Sequence, residues 1–182
     1  MATKLTQVQL KKQLNMFSKE ELIYLITRIY KSCPDANSML NAEMGDDSYI
    51  DGLLEEAKAK VRKEFFPARG FGRLSLSSAK SAIASFKRVC PDAAKVIDLQ
   101  LYYVENGVEF TDAYGDINES FYNSMGSMYR AVVDALNKTD DFAVYEQFKD
   151  RLKAIVENTA GMGWGFNEDL SDSYYSLKWI EC

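Results

Sequence analysis

Histidine is absent from the 182-residue chain. That removes the imidazole ligands of ordinary zinc sites and the general base of Ser-His-Asp and Cys-His catalysis. Cysteine is scarce: Cys33, Cys90 and Cys182 are an odd set without a Cys-x-x-Cys pair, the pattern of reduced thiols in a cytosol rather than of a disulfide framework. No apolar run approaches the roughly 20 residues of a membrane span. Met1-Ala2-Thr3-Lys4 leads into a polar amphipathic segment without the apolar core of a secretory signal. These absences predict a cytoplasmic protein with no membrane partner. No stretch alternates with a period of two, so almost no sheet is expected. What is abundant is core material: 47% of residues are hydrophobic and 13% aromatic, ample for a single domain over 1–182.

Two of the three prolines follow cysteines, in Cys33-Pro34-Asp35-Ala36 and Cys90-Pro91-Asp92-Ala93. Each tetrapeptide is preceded by an amphipathic segment starting at a serine, Ser18 and Ser75, with the same offset of 57 residues. In the second copy Leu76, Ala79, Ile83 and Phe86 recur at helical steps; Leu22, Ile26 and Ile29 answer them in the first, with Leu25 widening the stripe. Proline ends the incoming helix and suits the first turn of the next. Asp35 and Asp92 then fall in that first turn, where unpaired N–H groups and the dipole favour a carboxylate. The frame predicts helix stop, tight turn and helix start, used twice; a four-residue coincidence on generic amphipathicity is the alternative.

Capping patterns set the other boundaries. Thr6 with Gln9 precedes Leu10, Leu14 and Phe17, and Ser18 with Glu21 opens the helix ending near Ser32. A short helix is expected from Asp35 to about Glu43, and a longer one carrying Ile50, Leu53, Leu54, Ala57, Val61 and Phe65. Ala93, Ile97, Leu101 and Val104 define a helix that Asn106-Gly107 is expected to stop, leaving 109–118 as an aromatic and acidic loop. Asp116 with Glu119 reads as the cap of a helix bearing Phe121, Met125, Met128, Val132 and Leu136. Asp140 or Asp141 caps the last long one, with Tyr145, Phe148, Leu152 and Ile155 inward. The fold class is therefore all-α, with seven to eight helices in antiparallel α-α hairpins forming a short solenoid or layered helical bundle. The expected units are 18–44, 75–106 and 116–158, closed by an aromatic cap over 159–182 in which Trp164 and Phe166 cover the end of the stack.

Phe65-Phe66-Pro67-x-Arg69-Gly70, Leu101-Tyr102-Tyr103-Val104-Glu105, Tyr114-Gly115-Asp116-Ile117, Phe121-Tyr122 and Gly163-Trp164-Gly165-Phe166 together resemble an uncharacterised bacterial family, catalogued only as a domain of unknown function. The likeness spans nearly the whole chain. It implies a bacterial cytosolic protein and supplies no reaction, cofactor or catalytic residue.

Charge is unevenly placed. From Ala57 to Cys90 nine basic residues stand against Glu64 alone, whereas 91–182 carries seven basic and seventeen acidic residues within a chain of net charge −5. A basic segment in an acidic protein is a candidate surface for nucleic acid or an acidic protein. Its residues are Lys58, Arg62, Lys63, Arg69, Arg73, Lys80, Lys87 and Arg88. Arg69-Gly70-Phe71-Gly72-Arg73 sharpens the idea: two guanidinium forks for phosphate oxygens, glycines that turn N–H groups toward an anion, and Phe71 for stacking. The alternative is that these cations neutralise the acidic C-terminal half within the fold.

Glu105, Glu109, Asp112, Asp116 and Glu119 form a second constellation. If three or four converged they would hold Mg²⁺ or Mn²⁺, and the protein would be a metal-dependent enzyme acting on a phosphorylated small molecule. Neither EF-hand spacing nor a dense acidic helix is present, Asp116 and Glu119 have capping roles open to them, and the metal assignment, at Glu109, Asp112 and Asp116, is the weaker one. Gly161, Gly163 and Gly165 read as a chain reversal, since no strand precedes them. Tyr102, Tyr103, Phe110, Tyr114, Phe121 and Tyr122 read as core, and Cys90 as an inert thiol. The expectation is a non-catalytic helical-repeat binding module without cofactor, using the basic surface for an anionic partner.

Overall fold

In a computed structural model describing residues 4–70 and 73–180, the chain forms two compact units, Met1–Asp46 and Asp47–Cys182. All regular structure among the described residues is helical. The first unit holds α1 (Gln7–Leu14), α2 (Lys19–Ser32) and α3 (Pro34–Met44). Both capping boxes form: Thr6 with Gln9, and Ser18 with Glu21, whose carboxylate accepts from the Ser18 N–H at 2.8 Å. α2 packs on α3, and Tyr30 donates to Asn41 at 3.1 Å.

The second unit holds α4 (Asp47–Phe65), α5 (Leu76–Val89), α6 (Ala93–Tyr114), α7 (Glu119–Lys138), α8 (Phe142–Asn158) and α9 (Phe166–Tyr175). Among the described residues nine helices thus stand where seven or eight were expected; the added one, α9, lies inside the segment read as a cap. Its polar first turn, Asn167-Glu168-Asp169, follows Gly165 at φ 65°, a left-handed start that a glycine supplies without strain.

α6 is the hub, in contact with α4, α5, α7 and α8 and buried around most of its circumference. It runs straight through Asn106-Gly107, which therefore does not stop it; the helix ends at Gly115, φ 83°. Two tertiary contacts override the local turn signal. The buried Asn106 amide donates to the Tyr102 carbonyl at 2.6 Å and accepts from Arg62 of α4 at 2.7 Å. A Cβ on Gly107 would fall on Met125 Sδ of α7, so glycine is what lets the two helices close. The expected loop from Glu109 to Tyr114 is consequently helix.

The stripes of α4 and α8 are buried as their spacing predicted: Ile50, Leu54, Ala57, Val61 and Phe65, then Tyr145, Phe148, Leu152 and Ile155. Phe65 meets Tyr103, Phe110 and Phe121 edge-on, with centroids 5.6 to 6.4 Å apart. The Tyr103 hydroxyl shares a 2.8 Å bond with Ser124, and burial pushes its pKa up to about 12. Tyr114 is exposed and Tyr102 half-buried, so only four of the six aromatic residues of that set are core.

Both cysteine turns end a 14-residue helix at the cysteine. They start the next helix differently. Pro34 opens α3 directly, with Cys33 as its N-cap and Asp35 in the first turn. In the second turn Asp92 is itself the N-cap, accepting from Ala94 N–H at 2.8 Å, and Pro91 stays outside α6. The Cys90 thiol is half-buried and donates to the Asp92 carbonyl; burial pushes it up.

Candidate functional site

The basic segment spans the C-terminal half of α4, the connection that follows, and α5. α4 buries the face carrying Val61 and Phe65, which leaves Lys58 and Arg62 directed along α6 and Lys63 outward. Lys58 is spent within the fold: it pairs with Asp98 of α6 at 2.8 Å and with Glu55 at 3.3 Å. Burial pulls its ammonium pKa down, and the two carboxylates more than offset this. Arg62 is spent likewise, forking onto Glu109 and lying 4.0 Å over the Phe66 ring. The Arg62 bond holds Glu109 below the usual carboxylate range. For these two cations internal neutralisation is what the structure contains.

The others behave differently. Lys63, Arg69, Arg73, Lys80 and Lys87 are exposed and make no ion pair among the described residues. Arg88 is exposed and engaged elsewhere. The Leu74 N–H donates to the Glu64 carbonyl at 3.0 Å, which draws the start of α5 to the end of α4. Arg73 and Lys63 each adjoin one partner of that bond in sequence, and Lys80 follows one turn up α5. Gly70 at φ 75° and Leu74 at φ 49° take the left-handed backbone that the tight return needs. Glu64, the one acid of the segment, has its Oε2 buried. α5 opens without a side-chain cap; the hydroxyls of Ser75, Ser77 and Ser78 gather at its N-terminus, Ser75 Oγ lying 2.7 Å from that of Ser78. Phe71 and Gly72, the stacking residue and second glycine of the sequence reading, lie outside the described residues, as does Cys182.

The carboxylates of the alternative, metal-binding reading do not converge. Glu109 is bound to Arg62, Asp112 is exposed on α6, and Glu105 binds Arg151 of α8 through Nε at 2.7 Å. Asp116 does not cap α7; Asn118 does, accepting from the Phe121 N–H at 3.0 Å. Asp116 accepts instead from the Tyr122 hydroxyl at 2.6 Å and the Gly163 N–H at 3.3 Å, bonds that hold its carboxyl below its ordinary value. It thereby fastens the glycine-rich turn to α7, where Phe166 packs against Tyr122 at 4.8 Å. Trp164 does not cover the helices: it is 61% exposed, at φ 62°. No group of three or more His, Cys, Asp or Glu among the described residues is placed to hold a metal ion.

The sequence reading missed Arg151, which ties α8 to α6 beside the Lys58 contact from α4. Arg151 reaches Asp98 through Nη1 at 2.5 Å and Glu105 through Nε and Nη2, at 2.7 and 2.8 Å. Asp98 also takes Lys58. Burial pushes the Asp98 carboxyl up, and the Lys58 and Arg151 bonds outweigh that, leaving it below the usual range. The only sequence signal was the seven-residue spacing of Asp98 and Glu105, which puts both on one face of α6 but does not name a partner.

These features define an all-helical protein with a cationic junction between α4 and α5 and an internal ion network along α6. Residues 5–176 match the model of a family of unknown function, DUF6155, and the chain belongs to that family. No curated protein and no solved structure matches it. No helix among the described residues is long and apolar enough to cross a membrane.

Proposed function

We propose that the chain is a cytoplasmic bacterial binding module of helical-repeat character, without catalytic activity, that grips the phosphate backbone of a nucleic acid at the α4–α5 junction. The carrying observation is the set of exposed cations, Lys63, Arg69, Arg73 and Lys80, left unopposed because Lys58 and Arg62 absorb the nearby acids and Glu64 turns a carboxyl oxygen inward. An uncapped helix start beside two arginines suits a phosphate, which accepts from N–H groups, hydroxyls and guanidinium forks together. Lys87, two turns beyond Lys80 on the same face of α5, extends the track.

Fluorescence anisotropy with labelled single- and double-stranded DNA and RNA tests this. Four phosphate contacts predict binding that weakens about 100-fold between about 50 and 200 mM salt. EDTA is expected to leave it unchanged. Arg69→Ala combined with Arg73→Ala should abolish it while the thermal midpoint stays put. Absence of binding at low salt, or binding indifferent to the double substitution, refutes the reading.

A further inference from the structure

α2 is amphipathic and yet has no buried residue. Leu22, Leu25, Ile26 and Ile29 share one stripe, with Ile26 48% and Ile29 42% exposed. Of the fifteen exposed large apolar side chains among the described residues, eleven belong to Met1–Asp46. A monomer seldom leaves so many large apolar side chains exposed on one small unit. Beside the stripe, α1 and α2 enclose an open groove of about 640 Å³ floored by Leu10, Leu14, Phe17 and Leu25. Its charges are polarised: Glu21 lines it toward the start of α2, and Arg28 lines it two turns on, on the same flank.

A groove of that kind fits an antiparallel amphipathic helix with a base to meet Glu21 and an acid, two turns away, to meet Arg28. α2 itself has that pattern. We propose that the chain forms a two-fold homodimer through α1 and α2, the α2 stripes packed antiparallel about an axis near Leu25. Glu21 of each copy then faces Arg28 of the other. An isologous interface requires such self-complementarity, and charges placed this way fix both register and direction.

Sedimentation of the full chain at about 1 to 100 µM, a range that resolves micromolar association, is expected to show a dimer. Glu21→Arg and Arg28→Glu, each alone, set like charges opposite one another twice and should weaken it at least about tenfold. Mixed in equal amounts, the two variants restore both attractive pairs and should recombine into a heterodimer near wild-type strength. Ile26→Asp, on an exposed position that leaves helix and cap intact, should give monomers in every pairing. A wild-type monomer throughout the range overturns the proposal, as does a dimer that Ile26→Asp or Arg28→Glu leaves unweakened. Failure of the two charge variants to recombine, when each alone keeps its helix content by circular dichroism, Glu21→Arg having lost the Ser18 capping bond, also overturns it.

Discussion

Arg151 shows what a single side chain does in this fold. Its guanidinium spans Asp98 and Glu105 on α6, and each of the three is about a third exposed or less. Replacing it by alanine strands two carboxylates on one face of α6, with Lys58 alone to balance them. Losing one partner of a buried pair costs roughly 3–5 kcal/mol; partial exposure reduces that here to about 1–3 kcal/mol. The pH dependence follows from Asp98. Its folded pKa lies below the unfolded one, so its stabilisation is complete above about pH 4 and is lost as pH falls through the lower folded value. Urea melts of Arg151→Ala against the wild type should therefore show the full deficit at pH 7 and a smaller one at a pH below about 4. An equal deficit at both pH values would remove electrostatics from the explanation.

At the scale of elements, the crossing of α6 and α7 depends on Gly107. Alanine there improves helix propensity by up to about 1 kcal/mol, but its Cβ would overlap Met125, which is fully buried. Overpacking of that kind costs about 1–3 kcal/mol. Gly107→Ala should lower stability in the wild type and cost less, or nothing, in a Met125→Ala background, a coupling a double-mutant cycle measures directly. Additive effects would mean that the helices do not meet at this glycine. The same position marks how far the sequence could be read. Periodicity exposed the buried faces of α4 and α8 because burial on one side is a local pattern. It failed at Asn106-Gly107 because the partners that keep α6 helical, Arg62 and Met125, lie 44 residues upstream and 18 downstream. α9 was missed because three glycines and a polar first turn resemble a loop until Asp116 and Tyr122 fix them. At the candidate site, the excess of positive charge was plain in the sequence. Which cations were already taken, Lys58 by Asp98 and Arg62 by Glu109, was not, since those pairs join residues some forty positions apart.

Across the whole molecule, burial is concentrated in one unit. Every buried apolar residue among those described, Ala42 excepted, lies beyond Asp46. The two units therefore differ in what holds their helices. α6 is packed on most sides and α7 buries a broad face against α6 and α9, so their amides open mainly when the whole unit unfolds, at something like 5–15 kcal/mol. α1, α2 and α3 have 8, 14 and 11 residues. Helices that short are marginal in water without a buried face, and capping boxes contribute only about 1 kcal/mol each. Hydrogen exchange should accordingly rank α6 and α7 slowest and α1 and α2 fastest in a dilute sample. Raising the concentration should slow α1 and α2 selectively, because a second copy covering the α2 stripe gives that helix a buried face. Ile26→Asp should erase that concentration dependence and leave α6 and α7 untouched. Uniform protection at all concentrations would show that the first unit is stabilised by something other than association.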